Sequence, residues 1–328
     1  MHLSDALLST PVALTGGAVA ATLLAVSGVQ MKKMDNPSIV PMMGVLGAFV
    51  FAAQMINFAI PGTGSSGHII GGVMLAAFLG PWAAFVTIAA VLIIQCLIFA
   101  DGGLLALGCN LINMGATTTL LAYPLVFKPI LGNSNKIWRI TLASIIACTV
   151  GLELGACFVS AEVAFSDISA LNGDDFLKIM TLIHLPIGIV EGVATAAVLC
   201  FVSNKRPELI HGIYEHSNKK KMKNVFIGFA VATVIISLGL VWFASENPDG
   251  LEWSVERLTG QTEIEPEETS SFTLGASKLV HSTSVMPDYD NPLSGIIGAV
   301  IVLLIIWSVS ALLVKRPKHN GSGNQCQK

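Results

Sequence analysis

The first residues of the chain could together hold a divalent metal ion. Histidine is the commonest metal ligand in proteins, and His2 stands directly after Met1. The free amine of Met1, the backbone nitrogen of His2 and the near imidazole nitrogen of His2 can close two adjacent chelate rings on one metal. Such binding requires loss of the amide proton, which favours a strongly bound divalent metal in a square plane. Because the first methionine is generally removed only before a small residue, we expect Met1 to remain.

A second histidine, His68, would supply a fourth nitrogen. It ends the segment 61–68, which contains Gly62, Gly64 and Gly67 and is predicted to be flexible. We expect His68 to open a helix, where the dipole disfavours imidazolium and leaves the neutral ring that binds metal. An all-nitrogen square plane indicates Ni(II) or Cu(II).

Hydroxyl and carboxylate side chains near these histidines could support the site. Ser65 and Ser66 can cap the turn that carries His68. Asp5 lies close to His2 in sequence, and Asp101 falls near the same predicted membrane boundary. Either aspartate could cap a helix or, as a partner of a ligand histidine, fix the orientation of its ring.

A second group of polar residues lies within apolar stretches, where such groups are costly and are functional candidates. The group comprises Glu153, Glu162, His184 and Glu191. His184 and Glu191 are seven positions apart, so both face the same side of a helix. This face could be a proton relay, a metal-binding face or a network of structural hydrogen bonds, and the last interpretation is favoured.

The composition requires that membrane-embedded helices position these residues. The chain has 328 residues, of which 53% are hydrophobic and 12% charged, whereas soluble domains average about 25% charged. This excludes an ordinary soluble enzyme, and the net charge of -3 argues against a nucleic-acid partner. Apolar runs of about 20 residues indicate a polytopic membrane protein that contacts lipid.

The predicted fold class is an all-α, polytopic membrane helical bundle with about nine transmembrane helices. The third helix is short and is separated from the fourth by Gly80-Pro81. The nine helices are predicted at 6–29, 38–58, 68–79, 81–99, 103–127, 139–163, 179–203, 224–245 and 292–314.

The positive charges predict the orientation of these helices. Most of the 18 lysine and arginine residues lie in 30–37, 128–139, 204–223 and the segment after 314. With nine spans, all four segments fall on one side, which the positive-inside rule assigns to the cytoplasm. We therefore expect the N-terminus outside and the C-terminus inside a bacterial or archaeal cytoplasmic membrane.

The apolar runs and the charged segments between them also predict how the chain divides into modules. A seven-span core covers 1–203, and a basic cytoplasmic linker covers 204–223. A two-span appendage covers 224–319, with an acidic outer loop at 246–291, and 320–328 is a polar tail. The acidity of the loop either reflects exclusion of lysine and arginine from the outer side or serves to gather cations.

Several motifs in order resemble the CbiM/NikM family, the substrate-binding S components of cobalt and nickel energy-coupling-factor (ECF) transporters. The similarity covers residues 1 to about 203, and Pro248-Asp-Gly-Leu-Glu-Trp253 is similar to the PDGLE type of NikN-like domain. The core motifs are Met1-His2-Leu-Ser-Asp5, Asn57-Phe-Ala-Ile-Pro-Gly, Ser66-Gly-His68-Ile-Ile-Gly-Gly, Leu79-Gly-Pro-Trp, Ala100-Asp-Gly-Gly-Leu-Leu-Ala-Leu-Gly-Cys-Asn110 and Asn113-Met-Gly.

The resemblance implies a metal held by Met1, His2 and His68, with support from motif residues that include Asn57 and Ser66. Family members usually begin Met-His-Ile-Pro-Asp-Gly, whereas this chain has Ser4 and Ala6 in place of the proline and glycine, which leaves the local bend of the arm open.

The resemblance also implies that Ni2+ or Co2+ is the transported substrate, with no further cofactor. The implied partners are a membrane scaffold, the CbiQ/NikQ-like T component, and a pair of cytoplasmic CbiO/NikO-like ATPases. The chain has no Gly-x-x-x-x-Gly-Lys-Ser/Thr loop of its own, so it is not expected to be an enzyme.

Two other functions compete with ATP-driven metal import. The first is an ion-coupled secondary transporter that uses Glu153, Glu162, Glu191 and His184. The second is an intramembrane hydrolase with a metal-bound water, which would need an open coordination position that a four-nitrogen plane does not leave. The sequence does not separate nickel from cobalt.

Overall fold

The computed structural model describes residues 1–34, 39–167, 171–211, 219–262, 264, 271–289 and 293–313. The predicted tail at 320–328 and acidic residues such as Glu265 and Glu267 lie outside the described residues. Within the described ranges, helices dominate, and the only strands form one two-stranded hairpin.

The first part of the chain forms helices on both sides of that hairpin. Helix α5 is contiguous but changes its winding, with a long π-type middle section between two short α-helical ends. In chain order the elements are α1 (Thr10–Met31), α2 (Ile39–Gln54), β1 (Phe58–Ile60), β2 (Ser65–Gly67), α3 (Gly72–Leu79), α4 (Pro81–Phe99) and α5 (Leu107–Asn110, Leu111–Phe127 and Lys128–Leu131).

Two long helices follow and pack against each other along their length: α6 (Ile137–Ser166) and α7 (Gly173–Lys205). The remaining helices are α8 (Lys219–Leu238), α9 (Gly250–Thr259), α10 (Ser271–Thr283) and α11 (Ser294–Leu313). Helices α8 and α11 both pack beside α2, so the last part of the chain lies against the first.

The short helix α3 lies at the centre of the bundle, and all its residues are buried. The predicted break after it is present. Gly80 adopts a φ of 77°, a conformation that glycine tolerates best. Pro81 then occupies the first position of α4, where its missing N–H costs nothing.

The described helices confirm a helical membrane fold, whereas the count of nine spans stays a prediction. Three further apolar helices are shorter, at 39–54, 223–238 and 294–308. Four helices are long and apolar enough to cross a membrane: Thr10–Met31, Pro81–Phe99, Ile137–Ser166 and Gly173–Lys205.

The segment predicted to be flexible is instead part of the hairpin. Strands β1 and β2 pair antiparallel, with Phe58 opposite Gly67 and Ile60 opposite Ser65. His68 therefore follows a strand and precedes the first residue of α3 by four positions. The expectation that a helix dipole acts on His68 is wrong, because the ring is not in the first turn of a helix.

The segment 246–291, predicted to be an outer loop, contains the helices α9 and α10, which the sequence did not predict. Asp249 begins α9 with a capping box: its side chain accepts the N–H groups of Leu251 and Glu252, and the Glu252 carboxylate accepts the N–H of Asp249. These reciprocal bonds stabilise the first turn of the helix.

Candidate metal centre

The N-terminal arm, residues 1–8, is held inside the protein by backbone hydrogen bonds. The amide side chain of Asn110 in α5 accepts from the N–H of Leu3 at 2.8 Å and donates to its carbonyl at 3.1 Å. Asp5 accepts the N–H of Ala106 at 3.0 Å. Asp5 therefore ties the arm to the start of α5 and does not cap α1, whose N-cap is Ser9. These contacts fix the path of the chain on both sides of His2.

The loop that carries His68 is held by buried polar side chains from two helices. Glu191 in α7 accepts the N–H groups of Ile70 and Gly71, at 3.1 and 2.9 Å. Gln54 at the end of α2 donates to the carbonyl of Ile70 at 2.8 Å. Because a buried backbone N–H without a partner is costly, this carboxylate is the main anchor of the His68 loop.

The two histidines named from the sequence meet. Their ring centroids lie 5.4 Å apart, with the planes at 60°. An imidazole nitrogen binds a first-row metal at roughly 2 Å, so the centroids of two rings on one ion are separated by roughly 4.5 to 6 Å. No hydrogen-bond partner reaches Nδ1 of His68, a buried atom, among the described residues. The arrangement is compatible with one shared ion.

The amine of Met1 lies at the same place and pairs with a residue from the far end of the chain. Its ammonium group donates a very short hydrogen bond to Oδ2 of Asp249, in Pro248-Asp-Gly-Leu-Glu252, hereafter the PDGLE segment. Met1 is buried, and the Asp249 side chain is 16% exposed. The amine is therefore inside the protein.

His2 has a partner that bears on its use as a ligand. Its Nδ1 lies 3.1 Å from Oδ1 of Asp101, whose other oxygen accepts the Tyr289 hydroxyl at 2.7 Å. Asp101 thus contacts the His2 ring. The expected chelate uses the same nitrogen, Nδ1. A half turn of the ring about Cβ–Cγ would direct Nδ1 away from Asp101 and leave Nε2 on the side of the carboxylate.

The PDGLE segment docks on the hairpin. Ser66 donates its N–H to the carbonyl of Pro248 at 2.8 Å and its hydroxyl to the carbonyl of Asn247 at 2.7 Å. The indole N–H of Trp253 donates to the carbonyl of Thr63 at 3.0 Å. Ser65 and Ser66 do not cap α3, whose N-cap is Gly71. The predicted support residue Ser66 instead binds the segment that carries Asp249.

Asn57, the remaining support residue, accepts the N–H of Ser245 through its backbone carbonyl at 2.7 Å. Together with the histidines it lines a cavity of about 760 Å³ that continues under α9 and α10. Asp101, Asp249 and Glu252 also line this space, as does the exposed His281 of α10. The candidate site therefore lies between the early helices and the later part of the chain.

Burial favours the neutral form of both histidines. Desolvation lowers the pKa of His2, against the opposing effect of Asp101. Desolvation, helped by the nearby ammonium of Met1, lowers the pKa of His68 to about 3. Burial alone would raise the pKa of Asp249, but that ammonium holds it below its usual value. Neutral imidazole is the form that binds metal.

The polar residues within the long helices have other contacts. Glu191 bonds to backbone, as described, and Nδ1 of His184 bonds to the Met180 carbonyl at 2.7 Å. Glu162 accepts from the side chain of Asn113 at 2.6 Å. Glu153 has a buried oxygen, Oε1, without a partner among the described residues. Glu191 and His184 thus both form hydrogen bonds to backbone groups.

Side chains alone do not form a metal site in the described part of the chain. No three His, Cys, Asp or Glu residues there lie close enough together to hold an ion. A centre at His2 and His68 therefore depends on backbone nitrogen and the terminal amine. The sequence reading did not find Asp249 or Tyr289 as parts of this region. The pattern Asp-x-x-Glu predicts the capping box, but nothing local indicates that Asp249 reaches Met1.

The fold and this region define a multi-pass helical membrane protein with a nitrogen-rich pocket at its amino terminus. Residues 2–209 match the family model described as the cobalt uptake substrate-specific transmembrane region, CbiM. The chain belongs to this family. Residues 223–315 match the PDGLE domain.

Relatives and solved structures agree with this assignment. A protein of Archaeoglobus fulgidus that carries the name fused nickel transport protein NikMN is 31% identical over 94% of this chain and 98% of its own length. The fused nickel transport protein NikMN of Rhodobacter capsulatus is 29% identical, over 80% and 78%. A crystal structure of a transition metal transporter superposes with a TM-score of 0.56 at 30% identity, covering 66% of this chain and 98% of its own.

Proposed function

We propose that this protein is the substrate-binding membrane subunit of an ECF-type importer and captures Ni2+ or Co2+ from the outer side. The observation that carries the proposal is the meeting of the Met1 amine, His2 and His68 in one buried place. The names of the relatives support the choice of these metals.

The proposed ligands are four nitrogens. Met1 supplies its amine, His2 its backbone nitrogen and Nδ1, and His68 one ring nitrogen. The amine and the amide each lose a proton as the ion enters, and the His2 ring makes the half turn that frees Nδ1 from Asp101. Nε2–H then faces the carboxylate, which is the usual arrangement for a ligand histidine.

The proposal assigns ATP hydrolysis to other subunits. The chain lacks a phosphate-binding loop of the Walker type, so a CbiQ/NikQ-like scaffold and CbiO/NikO-like ATPases would drive import. In this scheme the protein itself is not an enzyme. The core at 1–203 binds metal, the linker at 204–223 faces the cytoplasm, and the PDGLE module at 224–319 covers the site from outside.

The experiment is calorimetric titration of Ni2+ and Co2+ into the purified full chain and its His68→Ala variant. We expect His68→Ala to weaken binding more than about 100-fold, beyond the 10- to 100-fold range of outer-shell partners. His281→Ala is the matched control, because His281 is an exposed histidine that lines the same cavity but is not a proposed ligand, so its loss should leave affinity unchanged. Equal affinities of wild type and His68→Ala would refute the proposed site.

A further inference from the structure

A groove separates the end of α7 from the first turns of α8. Helix α8 packs against α2 and α11, and a space of about 730 Å³ remains between it and α7. This volume lies in the range of ligand sites, roughly 300–1,000 Å³. The base of the groove contains Phe49 of α2 and Phe229 of α8, two buried residues whose ring centroids are 5.2 Å apart. The described side chains therefore leave a sizeable space beside the bundle.

The walls of the groove are apolar and open on the outer surface of the bundle. Val198 and Phe201 line it from α7, and Val231 and Ile235 line it from α8. Phe201 is 71% exposed and Ile235 is 58% exposed. Exposed apolar side chains on membrane helices face hydrocarbon, so this space suits an acyl chain better than a water-soluble ligand.

One end of the groove is basic. Among the described residues that line it, the only charged ones are Lys205, which ends α7, and Arg206, which follows. The backbone N–H of Arg206 donates to the carbonyl of Val202 at 2.7 Å, which fixes the chain at this point. The segment 204–223, which joins α7 to α8, contains six lysine and arginine residues and two glutamates. The end of the groove therefore attracts anions.

The two features together match the chemistry of one class of lipid. A guanidinium and an ammonium both bind phosphate, and basic pockets between membrane helices bind anionic head groups. A lysine at a helix end can reach the head groups of any bilayer, but Arg206 is only 8% exposed and is held within the protein. A zwitterionic lipid would place its own cationic group near these two positive side chains, whereas an anionic lipid would not.

We propose that the groove between α7 and α8 binds an anionic phospholipid, with its acyl chains against Phe201, Phe229 and Ile235 and its phosphate at Lys205 and Arg206. The site is separate from the candidate metal centre, and the proposal does not depend on the identity of the metal.

The test is native mass spectrometry of the purified full chain, titrated with phosphatidylglycerol or with phosphatidylcholine of the same acyl chains. It gives the dissociation constant of the first bound lipid. Two variants remove charge, Lys205→Gln and the double variant Lys205→Gln/Arg206→Gln. Their control is Lys32→Gln/Lys33→Gln, which removes two positive charges at the end of α1, away from the lining of the groove.

A third variant, Gly228→Leu, fills the groove and keeps its charge. Gly228 lines the space, and an added Cβ would meet no atom within 4 Å, so the larger side chain fits without a clash at Cβ. Its control is Ala230→Leu, an exposed position on the same helix that does not line the groove. This pair keeps the proposal testable if loss of Arg206 prevents folding, which the melting temperature reports.

We expect wild type to bind phosphatidylglycerol at least about tenfold more tightly than phosphatidylcholine. Lys205→Gln should reduce this preference about fivefold and the double variant at least about tenfold, whereas Lys32→Gln/Lys33→Gln should keep it. Gly228→Leu should weaken the binding of both lipids at least about fivefold, and Ala230→Leu should match wild type. Equal affinity of wild type for the two lipids, equal effects of a variant and its control, or dimers without bound lipid would overturn the proposal.

Discussion

The two sides of the candidate site are built differently. On one side, the N-terminal arm and the His68 loop are held by buried side chains of α2, α5 and α7, chiefly Gln54, Asn110 and Glu191. On the other side, the PDGLE segment is held by hydrogen bonds to the hairpin, mainly through Ser66. The difference indicates that the early helices fix the proposed nitrogen ligands, whereas the PDGLE segment is held beside them by hydrogen bonds to the hairpin.

Among substitutions of the supporting residues, Glu191→Ala should disrupt the His68 loop most strongly. It leaves the N–H groups of Ile70 and Gly71 without their acceptor, at a cost of about 1–3 kcal/mol each. We expect a lower melting temperature and a loss of Ni2+ affinity of more than about tenfold, because the His68 loop is released. Glu153→Gln is the control, since Oε1 of Glu153 has no partner among the described residues. Unchanged melting and affinity in Glu191→Ala would show that the carboxylate does not anchor this loop.

Asp101→Asn tests the support of His2. The neutral amide accepts the ring N–H more weakly than a carboxylate does, so Ni2+ affinity should fall about tenfold, at the lower end of the range for outer-shell partners. Calorimetry measures the affinity, and NMR of the histidine ring reports which nitrogen carries the proton. An affinity equal to that of wild type would contradict a role for Asp101 in orienting His2.

Gly250→Ala tests the docking of the PDGLE segment. The new Cβ would lie 2.9 Å from Cε1 of His184, so either the segment or the His184 ring must shift. A loss of about 1 kcal/mol, or about fivefold in Ni2+ affinity, is expected. Gly275→Ala in α10 is the control, because no atom lies within 4 Å of its added Cβ. Equal effects of the two substitutions would argue against close packing at Gly250.

The smallest expected effect is that of Tyr289→Phe. It removes one hydrogen bond to Asp101 and leaves the ring, so a cost of about 0.5–1.5 kcal/mol at most is expected. Only part of this free-energy cost should appear in Ni2+ binding, as an affinity loss of about twofold. An effect as large as that of Asp101→Asn would show that the hydroxyl of Tyr289 is as important for the orientation of His2 as the Asp101 carboxylate itself.

Much of the fold could be predicted from sequence, because long apolar runs report membrane helices directly. The break at Gly80-Pro81 was predictable because both residues oppose a continuous helix. The hairpin at 58–67 was not, since three-residue strands are too short to show a period of two. The count of spans stays a prediction, because helices α2, α8 and α11 are short of a full crossing by their apolar length.

The candidate ligands were named because the histidine in second position could form a chelate and because the motifs around it resemble those of the CbiM/NikM family, and their role stays a prediction. The groups around them could not be named in this way. Asp249 meets Met1 across 248 positions of sequence, and no local pattern encodes such a distant pairing. Glu191 was singled out as a costly polar residue, but its partners are backbone groups of another segment, which only the packing of α7 against the His68 loop defines.

The central claim is that the terminal amine of Met1 is a metal ligand. The most direct measurement is calorimetric titration of Ni2+ into a full chain with Met-Gln added before Met1, after intact mass has shown that wild type begins at Met1. Two residues are added because one would place the histidine third, where the amine and two amides could complete a plane without His68. The account predicts that the extended chain folds and melts like wild type but binds Ni2+ more than about 100-fold more weakly. Wild-type affinity in the extended chain would contradict it.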